Sequence, residues 1–212
     1  MQQDLPGIVR LRDQREALTL RTILTAARRL FAESGYARTP IRRIAQEAGV
    51  SPQTIYTCFG SKAGVLAGLV DLMDDVAGMP DLMAELERTT DPDELIGLLA
   101  LAARRLREHC GDILAILNSG AAVDPDIAAT QAEGARRNRL GVEMVVERLR
   151  ATGHSVDAKA TDIAVALMSD GVHDSLVIDA GWSHDDYEIW LRRTLGSALV
   201  APAPSRRAEQ AD

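Results

Sequence analysis

Aromatic residues are scarce in this sequence: two Trp, three Tyr and two Phe account for 3% of the 212 residues. Any core must therefore be built from Leu, Ala, Ile and Val, although hydrophobic residues as a whole reach an ordinary 46%. Only two cysteines are present, Cys58 and Cys110, and they form no CxxC pair, so no disulfide framework is expected and the cytoplasm is the expected location. No apolar run approaches the roughly 20 residues that span a bilayer, and the first ten residues lack a signal peptide's apolar core, so no membrane partner is expected.

The usual signatures of catalysis are also missing. The four histidines, His109, His154, His173 and His184, show no metal-ligand spacing. The sequence contains no GxSxG, no phosphate-binding loop and no nucleotide-binding fingerprint. We therefore expect a protein that is not an enzyme and that has neither a metal site nor a cofactor.

Charge is divided unevenly along the chain. Residues 1–62 hold ten Arg or Lys against five acids, a balance of +5, whereas the whole chain carries −7 and the remainder therefore −12. This asymmetry predicts a basic part that contacts polyanions and an acidic part with another role. An accidental distribution of charge is the alternative.

Helical periodicity recurs along the whole chain, without a convincing alternating strand pattern, and predicts an all-α fold. Residues 1–15 are predicted to form a flexible basic arm, in which Arg10, Arg12 and Arg15 either add a contact to DNA or remain solvated. Residues 16–75 are predicted to form four helices with short connections. Their expected N-caps are Thr39, Ser51 and Ser61.

Residues 76–200 carry longer amphipathic segments and are predicted to form a larger helical domain. Helical patterns run over residues 91–111, 111–120, 124–153, 157–180 and 183–200. The polar, proline-containing residues 201–212 are predicted to be a disordered tail.

The segment EAGVSPQTIYTCFGSK, residues 47–62, is typical of a helix-turn-helix rather than of an ordinary turn between core helices. Gly49 permits the left-handed turn, while Ile55 and Phe59 face inward. The second helix then presents Gln53 and other short polar side chains, which suit base edges and phosphates. The predicted DNA-binding residues are Thr39, Ser51, Pro52, Gln53, Thr54, Tyr56, Thr57 and Lys62.

Residues 23–66, ILTAARRLFAESGYARTPIRRIAQEAGVSPQTIYTCFGSKAGVL, resemble the N-terminal DNA-binding domain of the TetR family of bacterial transcriptional regulators. Thr57 and Cys58 depart from the family pattern, which often has a basic or aromatic pair before Phe59. One phosphate contact is therefore in doubt. A small packing residue is the favoured role for Cys58 over a redox switch, since neither a basic neighbour nor a resolving cysteine lies nearby in sequence.

The resemblance implies a three-helix DNA-binding domain followed by a ligand-binding and dimerisation domain. It implies a repressor that binds a palindromic double-stranded operator as a homodimer and is released by a small, mostly apolar effector. The last two helices are expected to pair with their copies in the partner chain. The residues expected at this interface are Leu176, Val177, Ile189, Trp190, Leu195 and Leu199.

Polar residues on apolar helical stripes mark the candidate effector pocket. For each of them, a hydrogen bond to a helix end or to a partner chain is the alternative. An alternative function is a helical small-molecule-binding or scaffold protein without operator binding. The candidate ligand-binding residues are His109, Asn118, Gln131, Asn138, Asp170 and His173.

Overall fold

The computed structural model describes residues 6–200, and within that range the chain forms ten α-helices and one short π-helix. The only β-type pairing among these residues is a single bridge between Val156 and Val200. The predicted all-α fold with an N-terminal helix-turn-helix is therefore confirmed. The elements are α1 (Pro6–Ser34), α2 (Ile41–Ala48), α3 (Pro52–Phe59), α4 (Lys62–Val76), α5 (Met79–Arg88), α6 (Pro92–Gly120), α7 (Pro125–Ala151), α8 (Ala160–Leu167), α9 (Asp170–His173), the π-helix (Asp174–Asp179) and α10 (His184–Leu199).

The described chain divides into two compact units. The first unit comprises residues 6–72 and 112–132, and the second comprises residues 73–111 and 133–200. The predicted boundary near residue 75 lies close to the first of these divisions. Residues 112–132, which were predicted to belong wholly to the second domain, instead pack with the first unit.

The first unit is built around α1, α2, α3 and the beginning of α4. Short helices bury little surface alone, so each contributes a few fully buried aliphatic side chains to a shared core. Aromatic residues contribute only Phe31 and Tyr36 to the fully buried set. The main core residues are Ile23, Ala27, Leu30, Phe31, Ile44, Ala45, Ile55, Val65, Leu66 and Leu69.

The first helix is longer than predicted, because α1 begins at Pro6 and so includes residues 6–15 of the predicted arm. Proline suits the start of a helix, and no glycine or proline interrupts the sequence from residue 8 to Ser34. The arm prediction is thus wrong for these residues. Residues 1–5 and the predicted tail, 201–212, lie outside the described residues.

The second unit has its own aliphatic core, to which α10 contributes one face. Tyr187, Leu191, Leu195 and Leu199 recur at helical spacing on α10 and are all fully buried. They pack with residues of α5 to α8, so the core belongs to this chain alone. α5 was not predicted, although Pro80 near its start and the buried pair Leu82 and Leu86 are typical of an amphipathic helix.

Backbone irregularities interrupt the second unit at three places. α6 contains a non-helical residue, Cys110, at φ −131° and ψ 16°, where the two predicted segments meet. The single helix predicted over 157–180 is instead α8 and α9, separated at Met168 and the extended Ser169, and α9 continues directly into the π-helix. The Met168 carbonyl accepts a hydrogen bond from the Arg107 guanidinium, which stabilises the break.

Candidate nucleic-acid interface

The turn between α2 and α3 is closed by backbone hydrogen bonds. Gly49 adopts φ 66°, a left-handed conformation that favours glycine, and its N–H donates to the carbonyls of Ala45 and Gln46. The Val50 N–H donates to the Ala45 oxygen at 3.0 Å. The turn therefore places Ser51 directly after the end of α2.

Helix α3 begins as predicted. The Ser51 hydroxyl accepts a hydrogen bond from the Thr54 N–H at 3.1 Å, and Pro52 occupies the first helical position. Ile55 is fully buried and anchors the helix to the core of the first unit. The Ser51 cap and the Ile55 anchor together fix which side of α3 faces outward.

The outward side of α3, here called the α3 face, consists of Pro52, Gln53, Tyr56 and Thr57. All four are exposed, Tyr56 to 48%. Within residues 6–200 the side chains of Gln53, Tyr56 and Thr57 have no hydrogen-bond partner. Thr54 lies at its edge, half-buried, with its hydroxyl 2.9 Å from the Ser51 hydroxyl. The α3 face therefore leaves amide, phenol and hydroxyl groups available to a partner.

The structure does not support Thr39 as a helix cap or a DNA contact. Its side chain is fully buried, and its hydroxyl donates to the carbonyls of Gly35 at 2.9 Å and Leu30 at 3.2 Å. The N-cap position of α2 is Pro40, without a side-chain cap. Thr39 therefore stabilises the loop after α1 through these hydrogen bonds instead of facing outward.

Lys62, a predicted phosphate contact, binds the loop after α1. Its Nζ donates to the Tyr36 carbonyl at 3.0 Å and lies 4.0 Å from the centroid of the Tyr36 ring. These contacts tie the start of α4 to this loop. An ammonium has three N–H groups, so the hydrogen bond to Tyr36 leaves others for a phosphate.

Arg42 is a basic residue that was not among the DNA-binding residues predicted from the sequence. It is exposed on α2, and its guanidinium has no partner within the described residues. Most neighbouring guanidinium groups are engaged: Arg28 binds Asp112 through two hydrogen bonds of 2.7 and 2.6 Å, and Arg43 donates to the Ser34 hydroxyl. Sequence alone gives no sign of which arginine stays available.

Glycines allow α4 to pass close to the end of α3. The Ser61 hydroxyl caps α4 by accepting from the Gly64 N–H at 3.0 Å, as predicted. A Cβ atom on Gly64 would overlap the Phe59 carbonyl oxygen. A Cβ atom on Gly68 would lie 2.9 Å from the Phe59 ring and 3.1 Å from Leu24. Close approach at these two glycines therefore sets the position of α3 relative to α4.

A cleft of about 660 Å³ lies elsewhere in the first unit, between residues 31–38 and the segment from Asp112 to Ile127. Tyr36 lines it and is 5% exposed, and its hydroxyl has no hydrogen-bond partner among residues 6–200. Burial, followed by the charges of Asp124 and Asp126, raises the pKa of Tyr36 from 10.0 to about 12.

Tyr36→Phe is expected to make folding less sensitive to alkaline pH. The folded state holds the phenol proton more tightly than the unfolded state, so this contribution to stability is complete below pH 10.0 and is lost as pH rises toward about 12. The loss is at most about 1.4 kcal/mol per pH unit. Urea unfolding at pH 9 and pH 11 gives the change in the free energy of unfolding between these two pH values for the wild-type protein and for Tyr36→Phe. An equal change in the two proteins would contradict the prediction, since Tyr187 is present in both.

The candidate ligand-binding residues do not all share one environment. In the first unit, Gln131 Nε2 donates to Asn118 Oδ1 at 2.7 Å. In the second, His109 and Asn138 are exposed. Asp170 and the buried His173 instead lie in a polar cluster with Arg107 and Tyr187, neither of which was predicted from the sequence.

The predicted dimer residues divide into two groups. Leu195 and Leu199 are fully buried in the core of their own chain, so their assignment to a face for a partner chain is wrong. The helical spacing of these two apolar residues reflects packing within the core of the second unit. Ile189 is 63% exposed, and Ile178, which the sequence reasoning did not select, is 69% exposed. Leu176, Val177 and Trp190 are half-buried against the core.

The short α2, the glycine turn and the capped α3 with its available polar side chains define a helix-turn-helix protein. The sequence model of the family described as bacterial regulatory proteins, tetR family, matches residues 23–69. Residues 23–69 therefore carry the DNA-binding domain of this family.

Known relatives agree with this assignment. The chain is 30% identical over 148 residues to an uncharacterized HTH-type transcriptional regulator of Mycobacterium tuberculosis, covering 69% of this chain and 65% of that protein. It is 28% identical over 90 residues to the HTH-type transcriptional repressor BdcR of Escherichia coli, covering 42% of this chain and 45% of BdcR. The chain thus spans just under two thirds of the mycobacterial relative.

Solved structures share the fold. The transcriptional regulator FadR from Bacillus subtilis, in complex with stearoyl-CoA, superimposes with a TM-score of 0.68 at 17% sequence identity. The alignment covers 83% of this chain and 97% of FadR. Identity at this level shows a common fold only.

Between residues 6 and 200, no single helix has the length and apolarity needed to cross a bilayer. α3 and α4 meet the requirement only when they are combined across a bend of 63°.

Proposed function

We propose that this protein is a ligand-responsive transcriptional repressor that binds a palindromic DNA operator as a homodimer. The observation that carries the proposal is the α3 face, where a buried Ile55 and a capped N-terminus hold unpartnered polar side chains outward. A helix of this kind fits the major groove, and its first turns then contact base edges.

Each residue of the interface has a distinct proposed role. Gln53 pairs with adenine through its amide, and Thr57 contacts a base edge or a thymine methyl group. Ser51 and Pro52 bring the N-terminus of α3, with its favourable dipole, close to the DNA backbone. Tyr56, Arg42 and Lys62 bind phosphates and set the register. Thr54, whose hydroxyl is held by Ser51, contributes mainly its methyl group.

Repression and release by an effector are supported by similar proteins. BdcR is named a repressor, and FadR was solved with stearoyl-CoA. An effector that binds the non-operator conformation more tightly weakens operator binding by the ratio of its two affinities. Dimerisation follows from the two-fold symmetry of a palindromic operator.

Two substitutions separate base reading from phosphate binding. The test uses an operator selected from genomic DNA. Gln53→Ala is expected to lose about 1–3 kcal/mol of discrimination at one base pair and to leave the salt dependence of DNA binding unchanged. Arg42→Ala is expected to weaken binding to all sequences alike and to reduce the slope of log Kd against log salt by about 0.9 per subunit. Mobility-shift titrations across a set of single-base operator variants and salt concentrations measure both effects.

Arg136→Ala is the control for charge, because Arg136 lies on α7 in the second unit and is paired with Glu133. It should change neither sequence preference nor salt slope. If the wild-type protein shows no specific site and no salt dependence, the alternative of a helical binding or scaffold protein without operator binding holds. An unchanged preference in Gln53→Ala would remove Gln53 from base reading.

A further inference from the structure

Four buried polar atoms of the second unit have no hydrogen-bond partner among residues 14–200, and three of them belong to one polar cluster: Arg107 Nε, His173 Nε2 and Tyr187 Oη. Tyr187 is fully buried, and the Arg107 and His173 side chains are each 8% exposed. Buried polar groups are nearly always paired, because an unpaired group loses its hydrogen bonds to water without replacement. The protein itself therefore leaves this position incompletely bonded.

The three groups come from different elements and lie together. The rings of His173 on α9 and Tyr187 on α10 meet edge to face, with centroids 5.1 Å apart. Arg107 on α6 forms an ion pair with Asp170 at 3.0 Å, one helical turn before His173. The break at Met168, the non-helical Cys110 and the π-helix all lie within a few residues of this cluster. π-helical distortions of this kind are frequent at functional sites.

The hydrogen bond of His173 to Asp174 identifies the tautomer of its neutral ring. Its Nδ1 lies 2.9 Å from the Asp174 carboxylate, so Nδ1 carries a hydrogen and donates it. Burial, the largest cause, lowers the pKa of His173, and the charges of Arg107 and His184 act in the same direction while Asp174 opposes them. At neutral pH the ring is therefore uncharged, and Nε2 is an acceptor that becomes a donor on protonation.

We propose that Arg107, Tyr187 and His173 bind the carboxylate group of an organic effector, and that His173 takes up one proton from solvent when it binds. The proposal rests on the proposed function, since it names the chemistry of its effector. The two oxygens of a carboxylate can accept from Arg107 Nε, from the Tyr187 hydroxyl and from protonated His173 Nε2. The proton balances the negative charge of the ligand, so the net charge of the cluster with Asp170 and Asp174 does not change.

Other head groups fit this cluster less well. An organic cation would lie beside the Arg107 guanidinium and would leave both its Nε–H and the Tyr187 hydroxyl without an anionic acceptor. An alcohol offers one oxygen and leaves part of the cluster unpaired. Water alone is the remaining possibility, because buried waters commonly satisfy such groups.

Isothermal titration of the full-length protein with hexanoate, 1-hexanol and hexylamine compares the three head groups on one hydrocarbon chain. We expect hexanoate to bind at least about tenfold more tightly than the other two. Above the pKa of His173, its affinity should rise by about tenfold for each unit that pH falls. Titrations in buffers of different ionisation enthalpy should show uptake of close to one proton.

Two variants test the residues separately. Tyr187→Phe is expected to weaken hexanoate binding about tenfold at every pH. His173→Gln keeps a hydrogen-bond donor but cannot titrate, so its affinity should no longer vary with pH; His154→Gln, at an exposed histidine, is the control. If His173→Gln does not fold, proton uptake by the wild-type protein and Tyr187→Phe still decide the matter.

Equal binding of hexanol or hexylamine, absent proton uptake, or no binding of hexanoate would each overturn the proposal and leave water as the occupant. The proposed function fails on different grounds, namely the absence of a specific DNA site. If the protein binds a specific operator but does not prefer hexanoate, the proposed function therefore stands and the proposed carboxylate site is wrong.

Discussion

Gly64→Ala is expected to destabilise the first unit by about 1–3 kcal/mol and to disrupt DNA binding. The new methyl group would overlap the Phe59 carbonyl oxygen, which is part of the backbone and cannot rotate away. α3 and α4 must then move apart. Because the α3 face is placed by this junction, the proposed phosphate contacts of Tyr56 and Lys62 would no longer share one register.

Gly141→Ala is the matched control for this substitution. Gly141 also lies in a helix, α7, and a Cβ atom there meets nothing within 4 Å. Alanine at this position should therefore stabilise the protein by about 0.5–1 kcal/mol through helix propensity alone. A comparable loss of stability in both variants would show that the close approach at Gly64 is not the cause.

The positions of the tryptophans allow unfolding of the second unit to be followed separately. Trp182 and Trp190 are the only two in the sequence, and both lie in the second unit. Urea unfolding followed by tryptophan fluorescence therefore reports on the second unit, whereas circular dichroism at 222 nm reports on all helices. Gly64→Ala should shift the circular dichroism transition most. An unchanged transition would contradict the prediction.

In the proposed homodimer, Ile189→Asp is expected to separate the two subunits and to weaken binding to the proposed operator by about a hundredfold or more. Ile189 and Ile178 are the most exposed isoleucines between residues 14 and 200, at 63% and 69%. Burying one isoleucine against a partner contributes about 1.5–3 kcal/mol, and the two-fold axis doubles each contact. A carboxylate at this position removes that contribution and adds the cost of desolvating a charge.

Met144→Asp is the control, because Met144 is similarly exposed, at 48%, but lies on α7 rather than on the last two helical segments. Sedimentation velocity gives the oligomeric state, and mobility shifts with one and two half-sites give the affinity. If Ile189→Asp remains dimeric while Met144→Asp dissociates, the interface lies elsewhere. The monomer itself should stay folded, since both substitutions lie on its surface.

Helix α3 was predictable from the sequence because the residues that determine it are close together in the chain. A capping serine, a following proline, a glycine at the turn and an apolar pair four residues apart each act within a few residues, and Ser51, Pro52, Gly49 and Ile55 were all found in those roles. Thr39 also matches the sequence pattern of a helix N-cap, but it does not cap α2. Its hydroxyl donates instead to the carbonyls of Gly35 and of Leu30, nine positions earlier, and a local pattern cannot reveal those acceptors.

The second unit was less predictable because its helices are interrupted by contacts between distant residues. The break at Met168 depends on Arg107, which is 61 positions away in the sequence. Apolar periodicity also cannot tell a core face from an interface, so Leu195 and Leu199 were assigned to the wrong surface. The polar cluster combines groups from three elements, of which only Asp170 and His173 stood out on an apolar stripe.

Unequal burial of the two thiols gives this protein a natural chemical reporter. Cys58 is half-buried on α3 beside Thr57, whereas Cys110 is fully buried at the irregular point of α6. A maleimide or disulfide reagent should therefore modify Cys58 first and reach Cys110 only when the second unit opens. DNA lying on the α3 face would shield the first thiol, so its rate of modification follows occupancy of the helix without any engineered label.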